Sequence, residues 1–117
     1  MKRIDIEKNN KLISEFVGRQ GKVIPSLYTF KGVADINNGD PWFTLEDAKF
    51  HTSWDWLMFA VEKIEELGYF CMINKWTSVY TGSKDKRISI TTVEGNTKIL
   101  NTWKAITIFI KWYNKNK

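Results

Sequence analysis

Near the end of the chain Ile99, Trp103, Ile106, Ile110 and Tyr113 recur at three- and four-residue steps, holding a helical period for four turns. That spacing predicts an amphipathic helix from near Asn96 to the end of the chain, and its apolar stripe requires a partner to cover it. A second stripe answers it. Trp54, Leu57, Met58, Val61 and Ile64 repeat with the same period, behind Thr52 or Ser53 as a cap and Asp55 in the first turn. Gly68 is placed to end this helix. A shorter third helix is expected over Asn10–Val17, with Leu12, Ile13, Phe16 and Val17 on one face, Asn9 or Asn10 as its cap and Gly18 as its stop.

The remaining segments read as strands and turns. Ser26–Val33 follows Pro25 and is rich in β formers, with Tyr28 and Phe30 on one face and Thr29 and Lys31 on the other. Asn37-Asn38-Gly39-Asp40-Pro41 is a dense turn signal, whereas Trp42–His51 is compatible with either a short helix or a strand. Tyr69–Tyr80 and Lys86–Val93 are expected as two strands joined by the glycine-containing loop Thr81–Asp85. The expected order is α-β-α-β-β-α. It defines an α+β fold in which a small antiparallel sheet carries two or three helices on one face. At 117 residues, 43% apolar and 26% charged, the chain fits a single globular domain over residues 1–117.

Several function classes find no support. The opening Met-Lys-Arg-Ile-Asp-Ile-Glu puts charge where a secretory leader is apolar. No apolar run approaches the roughly 18 residues of a membrane span. A lone cysteine, Cys71, fits a reducing cytoplasm and reads as a small strand filler. Asp47, His51 and Asp55 stand at i, i+4, i+8, the spacing of metal ligands on one helical face, but a helix start at Thr52-Ser53 interrupts that face. No nucleophile elbow, phosphate loop or paired-cysteine motif is present, and Cys71 and His51 have no local catalytic signature. The expectation is a non-enzymatic protein without metal or cofactor.

Charge is more informative. Residues 1–40 sum to +2, residues 41–68 to −4 and residues 69–117 to +7. On the second helix Asp55, Glu62 and Glu66 share one face, with Phe59 among them as an exposed aromatic or a contact for another chain. On the last helix Lys104, Lys111 and Lys115 repeat the same spacing, flanked by Ile108 and Trp112 on the side away from the core. Complementary stripes of this kind make a homo-oligomer plausible. The expected hairpin adds Lys75, Trp76, Tyr80, Lys84, Lys86 and Arg87 at its loop end. Rings stack on bases and cations meet phosphate, so these residues form a candidate anion site. Trp76, Tyr80 and Trp112 would stack, while Lys84, Lys86, Arg87, Lys104 and Lys111 would neutralise charge.

Four phrases carry a resemblance: Asn10-Lys11-Leu12-Ile13, Ser53-Trp54-Asp55-Trp56-Leu57-Met58, Val61-Glu62-Lys63-Ile64-Glu65 and Phe109-Ile110-Lys111-Trp112-Tyr113-Asn114. They are similar to a group of small proteins encoded by bacteriophages and prophages of gut anaerobic bacteria. That group has proline where this chain has Phe59, and it brings no catalytic assignment. The resemblance implies a cytoplasmic phage accessory protein. The leading expectation is therefore an anti-defence protein that binds and sequesters a small anionic nucleotide. One alternative is a nucleic-acid-binding module using the basic C-terminal half, and a second is a host-protein interaction factor that docks through the acidic helix face.

Overall fold

The computed structural model describes residues 2–20, 26–74, 77–81, 89–92 and 97–116, and it is a mixed helix and strand architecture. Helix α1 covers Arg3–Val17, so the charged opening is helical and the start falls at Arg3 rather than Asn10. Ile6 extends the apolar stripe by a turn, while Arg3 pairs with Glu7 at 3.3 Å and with Glu46 at 2.9 Å. The expected capping role of Asn9 or Asn10 is therefore wrong: Lys2 occupies the cap position and Asn10 lies in the helix interior, fully buried.

The segment read as a strand over Ser26–Val33 is mostly something else. Only Tyr28–Thr29 (β2) is extended, pairing antiparallel with Arg19–Gln20 (β1). Gly32 then takes φ +96, a left-handed conformation that favours glycine, and opens the short helix α2 at Val33–Ile36. Asn37–Pro41 is the expected turn, with Asn37 Nδ2 donating to the Asp40 and Trp42 carbonyls at 3.2 and 3.1 Å. Trp42–His51 is neither helix nor strand. Phe43 bridges to Tyr28 through two backbone hydrogen bonds of 2.8 and 3.0 Å, a Thr44–Asp47 turn follows, and Phe50 is buried. The segment inserts two rings against Trp56, with centroids 4.9 Å away for Phe43 and 5.3 Å for Phe50.

Helix α3 spans Trp54–Glu66 with Ser53 in extended geometry at its cap, and Gly68 follows it at φ +94. Its buried stripe is Trp56, Leu57, Ala60, Val61 and Ile64. Trp54, expected in the core, is 37% exposed, and Trp56 replaces it because the Phe30–Phe43–Phe50 cluster lies on that side of the helix.

The expected long strand Tyr69–Tyr80 folds back on itself as β3 (Tyr69–Ile73) and β4 (Thr77–Thr81). Twelve extended residues would run about 40 Å, whereas a 13-residue helix such as α3 is about 20 Å long. Folding back keeps the sheet within reach of its helices. Strand β5 (Ser89–Thr92) completes an antiparallel sheet of order β3-β4-β5, and the ladder sets Val79 opposite both Cys71 and Ile90. Of the β4 and β5 side chains, those of Val79 and Ile90 are described, and both are buried. Tyr69, Val79 and Ile90 form the buried row, while Phe70 and Met72 face away at 53% and 48% exposure.

Helix α4 covers Lys98–Asn116, with Thr97 Oγ1 accepting from the Leu100 N–H at 3.2 Å. It packs on β4 and β5 while α3 packs on β3, and α1 lies against both helices. The observed order is α-β-β-α-α-β-β-β-α, longer than expected because of β1, α2 and the divided strand.

Gly18 joins α1 to β1 in extended geometry, φ −142, and owes its identity to space rather than to backbone freedom. A Cβ there would overlap the Thr29 carbonyl oxygen and sit 2.8 Å from Phe30 Cβ. Gly18→Ala is expected to destabilise the protein by about 2 kcal/mol, the range of core overpacking, read as a lower urea midpoint at unchanged slope.

Candidate functional site

Phe59 is the pivot of a concave surface on which aromatic and charged side chains meet. It projects from α3 over the Phe30–Gly32 turn: its ring centroid is 4.9 Å from that of Phe30, and a Cβ on Gly32 would come within 2.7 Å of it. The missing side chain at Gly32 is what admits the ring. Around it runs a groove of about 410 Å³, lined by Val17, Phe30, Lys31, Gly32, Phe59, Glu62, Lys63 and Glu66. Glu62 and Glu66 are exposed on one edge, one helical turn apart. A second groove of about 280 Å³ lies beyond Lys63, lined by Leu12, Glu15, Phe16, Lys63, Leu67, Tyr113 and Asn114. Lys63 is the ridge between the two.

The expected anion site is placed as follows. Trp76, Lys84, Lys86 and Arg87, with Lys75, lie outside the described residues. Tyr80 is in β4, paired with Phe70 and Ser89, and its side chain lies outside the described set. Lys104, Lys111 and Trp112 are all on α4. Lys111 and Lys115 are exposed, Lys104 is half-buried, and Ile108 stands among them at 46% exposure. Trp112 is a correction: it turns toward the core rather than away from it. Its ring meets Tyr69 and Phe109, each at 6.0 Å, because the end of β3 offers apolar surface on that side.

Asp47 and His51 belong to the segment before α3 and Asp55 to its first turn, so the three do not share a continuous helix face. No group of three metal-ligating side chains converges among the described residues. Burial, reinforced by Glu65, pushes the Cys71 thiol up to about 11, which leaves it protonated and a poor nucleophile. No helix among the described residues is long and apolar enough to cross a membrane.

One constellation was not anticipated. The Trp103 indole N–H donates to Asn10 Oδ1 at 2.9 Å, and Asn10 Nδ2 lies 3.0 Å from His51 Nδ1 and 3.5 Å from the Ala48 carbonyl. Asn10 is fully buried, with Ser14 Oγ donating to its carbonyl at 2.7 Å. The sequence held a signal for it: Asn10 falls on the stripe of Ile6, Ile13 and Val17, and a buried tryptophan requires an acceptor. No protein-family model, curated protein or solved structure matches the chain.

Two outcomes follow from this chemistry. Trp103→Phe strands Asn10 Oδ1 without its donor and should cost about 1–3 kcal/mol, measured by chemical denaturation. Alkylation of Cys71 by iodoacetamide at pH 8 should be at least about tenfold slower than that of free cysteine, with urea restoring the difference.

Proposed function

We propose that the protein is a non-catalytic interaction factor that binds a basic, apolar-anchored segment of a partner protein along α3. The observation that carries this reading is the Phe59 groove, an aromatic floor bordered by Glu62 and Glu66. The surroundings reinforce it. Residues 41–68 carry a net charge of −4, and Asp55, Glu62, Glu65 and Glu66 all stand exposed on α3. A field of that sign draws cationic segments and repels nucleotides and nucleic acid. An apolar or arginine side chain seated on Phe59 would bury the ring's free edge, the kind of central anchor on which interface energy concentrates. Lys31 and Lys63 also line the groove, so the pull on a basic segment comes from the wider acidic face of α3 together with Glu62 and Glu66. The resemblance to phage accessory proteins supplies the setting: a phage-encoded factor acting on a protein of the host cytoplasm.

The basic half supports a second reading, the capture of a small anionic nucleotide. Lys111 and Lys115 are exposed on one side of α4 around Ile108, and they form no ion pair among the described residues. Tyr80, Trp76, Lys84, Lys86 and Arg87 would complete such a site with Lys104. A homo-oligomer that sets this face against the acidic stripe of a second copy belongs to the same reading.

Backbone amide shifts separate the two. An arginine–leucine amphipathic peptide is expected to move Gly32, Phe59, Glu62 and Lys63, and Phe59→Ala should weaken its binding by about tenfold or more. Glu62→Lys should weaken it further at low salt than at high salt. If the peptide at millimolar concentration leaves these amides in place while a cyclic dinucleotide shifts Lys104, Lys111 and Lys115, the α3 reading fails and the anion reading stands.

A further inference from the structure

We infer that His51, Asn10 and Trp103 form an acid-sensitive latch that ties the segment leading into α3 to helices α1 and α4. The logic starts at the tryptophan. An indole N–H only donates, so the Asn10 atom 2.9 Å from it must be the amide oxygen. The amide nitrogen is then turned to His51, and as a donor it requires a lone pair on Nδ1 at 3.0 Å. The proton of the neutral ring therefore sits on Nε2. A protonated ring carries hydrogen on both nitrogens and would set two donors against each other. Rotating the Asn10 amide offers no escape, because its nitrogen would then face the Trp103 N–H and its oxygen the Ala48 carbonyl. The three groups thus have one arrangement that satisfies them all, and it excludes the imidazolium.

Nothing among the described residues compensates the added charge. The charged residues on the elements around the ring are Arg3, Asp5, Glu7, Lys8, Lys11 and Glu15 on α1, Lys98, Lys104, Lys111 and Lys115 on α4, and Glu46, Asp47, Lys49 and Asp55 along its own stretch of chain. None of them enters: burial alone lowers the His51 pKa below its ordinary 6.5. The unfolded chain therefore binds a proton more readily than the folded one. The stabilisation is complete above the ordinary histidine value and is lost as the pH falls from there through the folded pKa. Release acts at the entry to α3, since the Lys49 carbonyl holds the Thr52 and Ser53 amides and α3 begins at Trp54.

The experiment is a proton NMR titration of the full chain from pH 8 to 5, with urea midpoints at each pH. His51 is expected to titrate below 6.5 and the Trp103 indole N–H to shift with the same midpoint. His51→Gln, which has no proton to gain, should flatten the acid loss of stability. Asn10→Asp supplies a carboxylate that accepts from both Trp103 and the protonated ring, so it should raise the His51 midpoint above 6.5. A wild-type His51 titrating at 6.5 without any response at Trp103 overturns the latch. So does a parallel loss of stability in wild type and His51→Gln, or an Asn10→Asp midpoint no higher than that of the wild type.

Discussion

Helix α4 is closed in on two sides, and the rest of the fold is arranged to make that possible. Trp103, Ala105, Ile106, Phe109 and Ile110 are all essentially inaccessible, and so are Thr102 and Thr107 beside them. A helix covered that widely needs a layer on each side: α1 and α3 supply one, and β4 and β5 the other. The threonines are tolerated because each returns its hydroxyl to the helix backbone, Thr102 to the Lys98 carbonyl at 2.9 Å and Thr107 to that of Lys104 at 2.8 Å. Trp103 brings the most demanding polar group, and Asn10 meets it from a position distant in the chain. Removing α1 would therefore uncover both apolar surface and an indole N–H.

The aromatic residues divide into two clusters with different tasks. Tyr28, Phe30, Phe43, Phe50 and Trp56 interlock in mostly edge-to-face contacts and pin the irregular stretch between β2 and α3. Phe16, Tyr69, Phe109, Trp112 and Tyr113 weld α1, β3 and the end of α4. Phe59 belongs at the margin of the first cluster, touching Phe30 yet half-open to the solvent. That marginal position, beside the carboxylates of α3, gives the groove its mixture of apolar floor and charged border. Burial of Trp112 in the second cluster leaves its ring edge-on to Tyr69, so the lysines of α4 have Ile108, and not an indole, as their exposed neighbour.

Much of the helical content was legible because a period of three to four residues survives in the one-dimensional pattern. The stripes of α3 and α4, the Gly68 stop and the Asn37–Pro41 turn all reflect short-range physics. The losses have equally specific causes. Charged residues at the start of α1 obscured a helix whose polar face they form. Tyr69–Tyr80 reads as one strand because alternation along a chain is unchanged when the chain reverses. Phe59 was legible as an aromatic within an acidic face. The cavity beneath it was not, since it depends on Gly32 arriving from another element. Asn10 resembled a cap because isolated asparagines favour helix ends, and only the indole of α4 gives it a reason to sit in the middle.

By itself, then, the amino-acid order determined the apolar stripes and most of the helices that carry them, along with an acidic middle followed by a basic end. These are properties of neighbours within about two turns, where side-chain periodicity and backbone preference act directly. Tertiary structure decided which tryptophans reached the interior, how a histidine, an asparagine and a tryptophan met, and where a groove opened. Those outcomes depend on distances between segments far apart in the chain, which close packing imposes and local pattern does not encode.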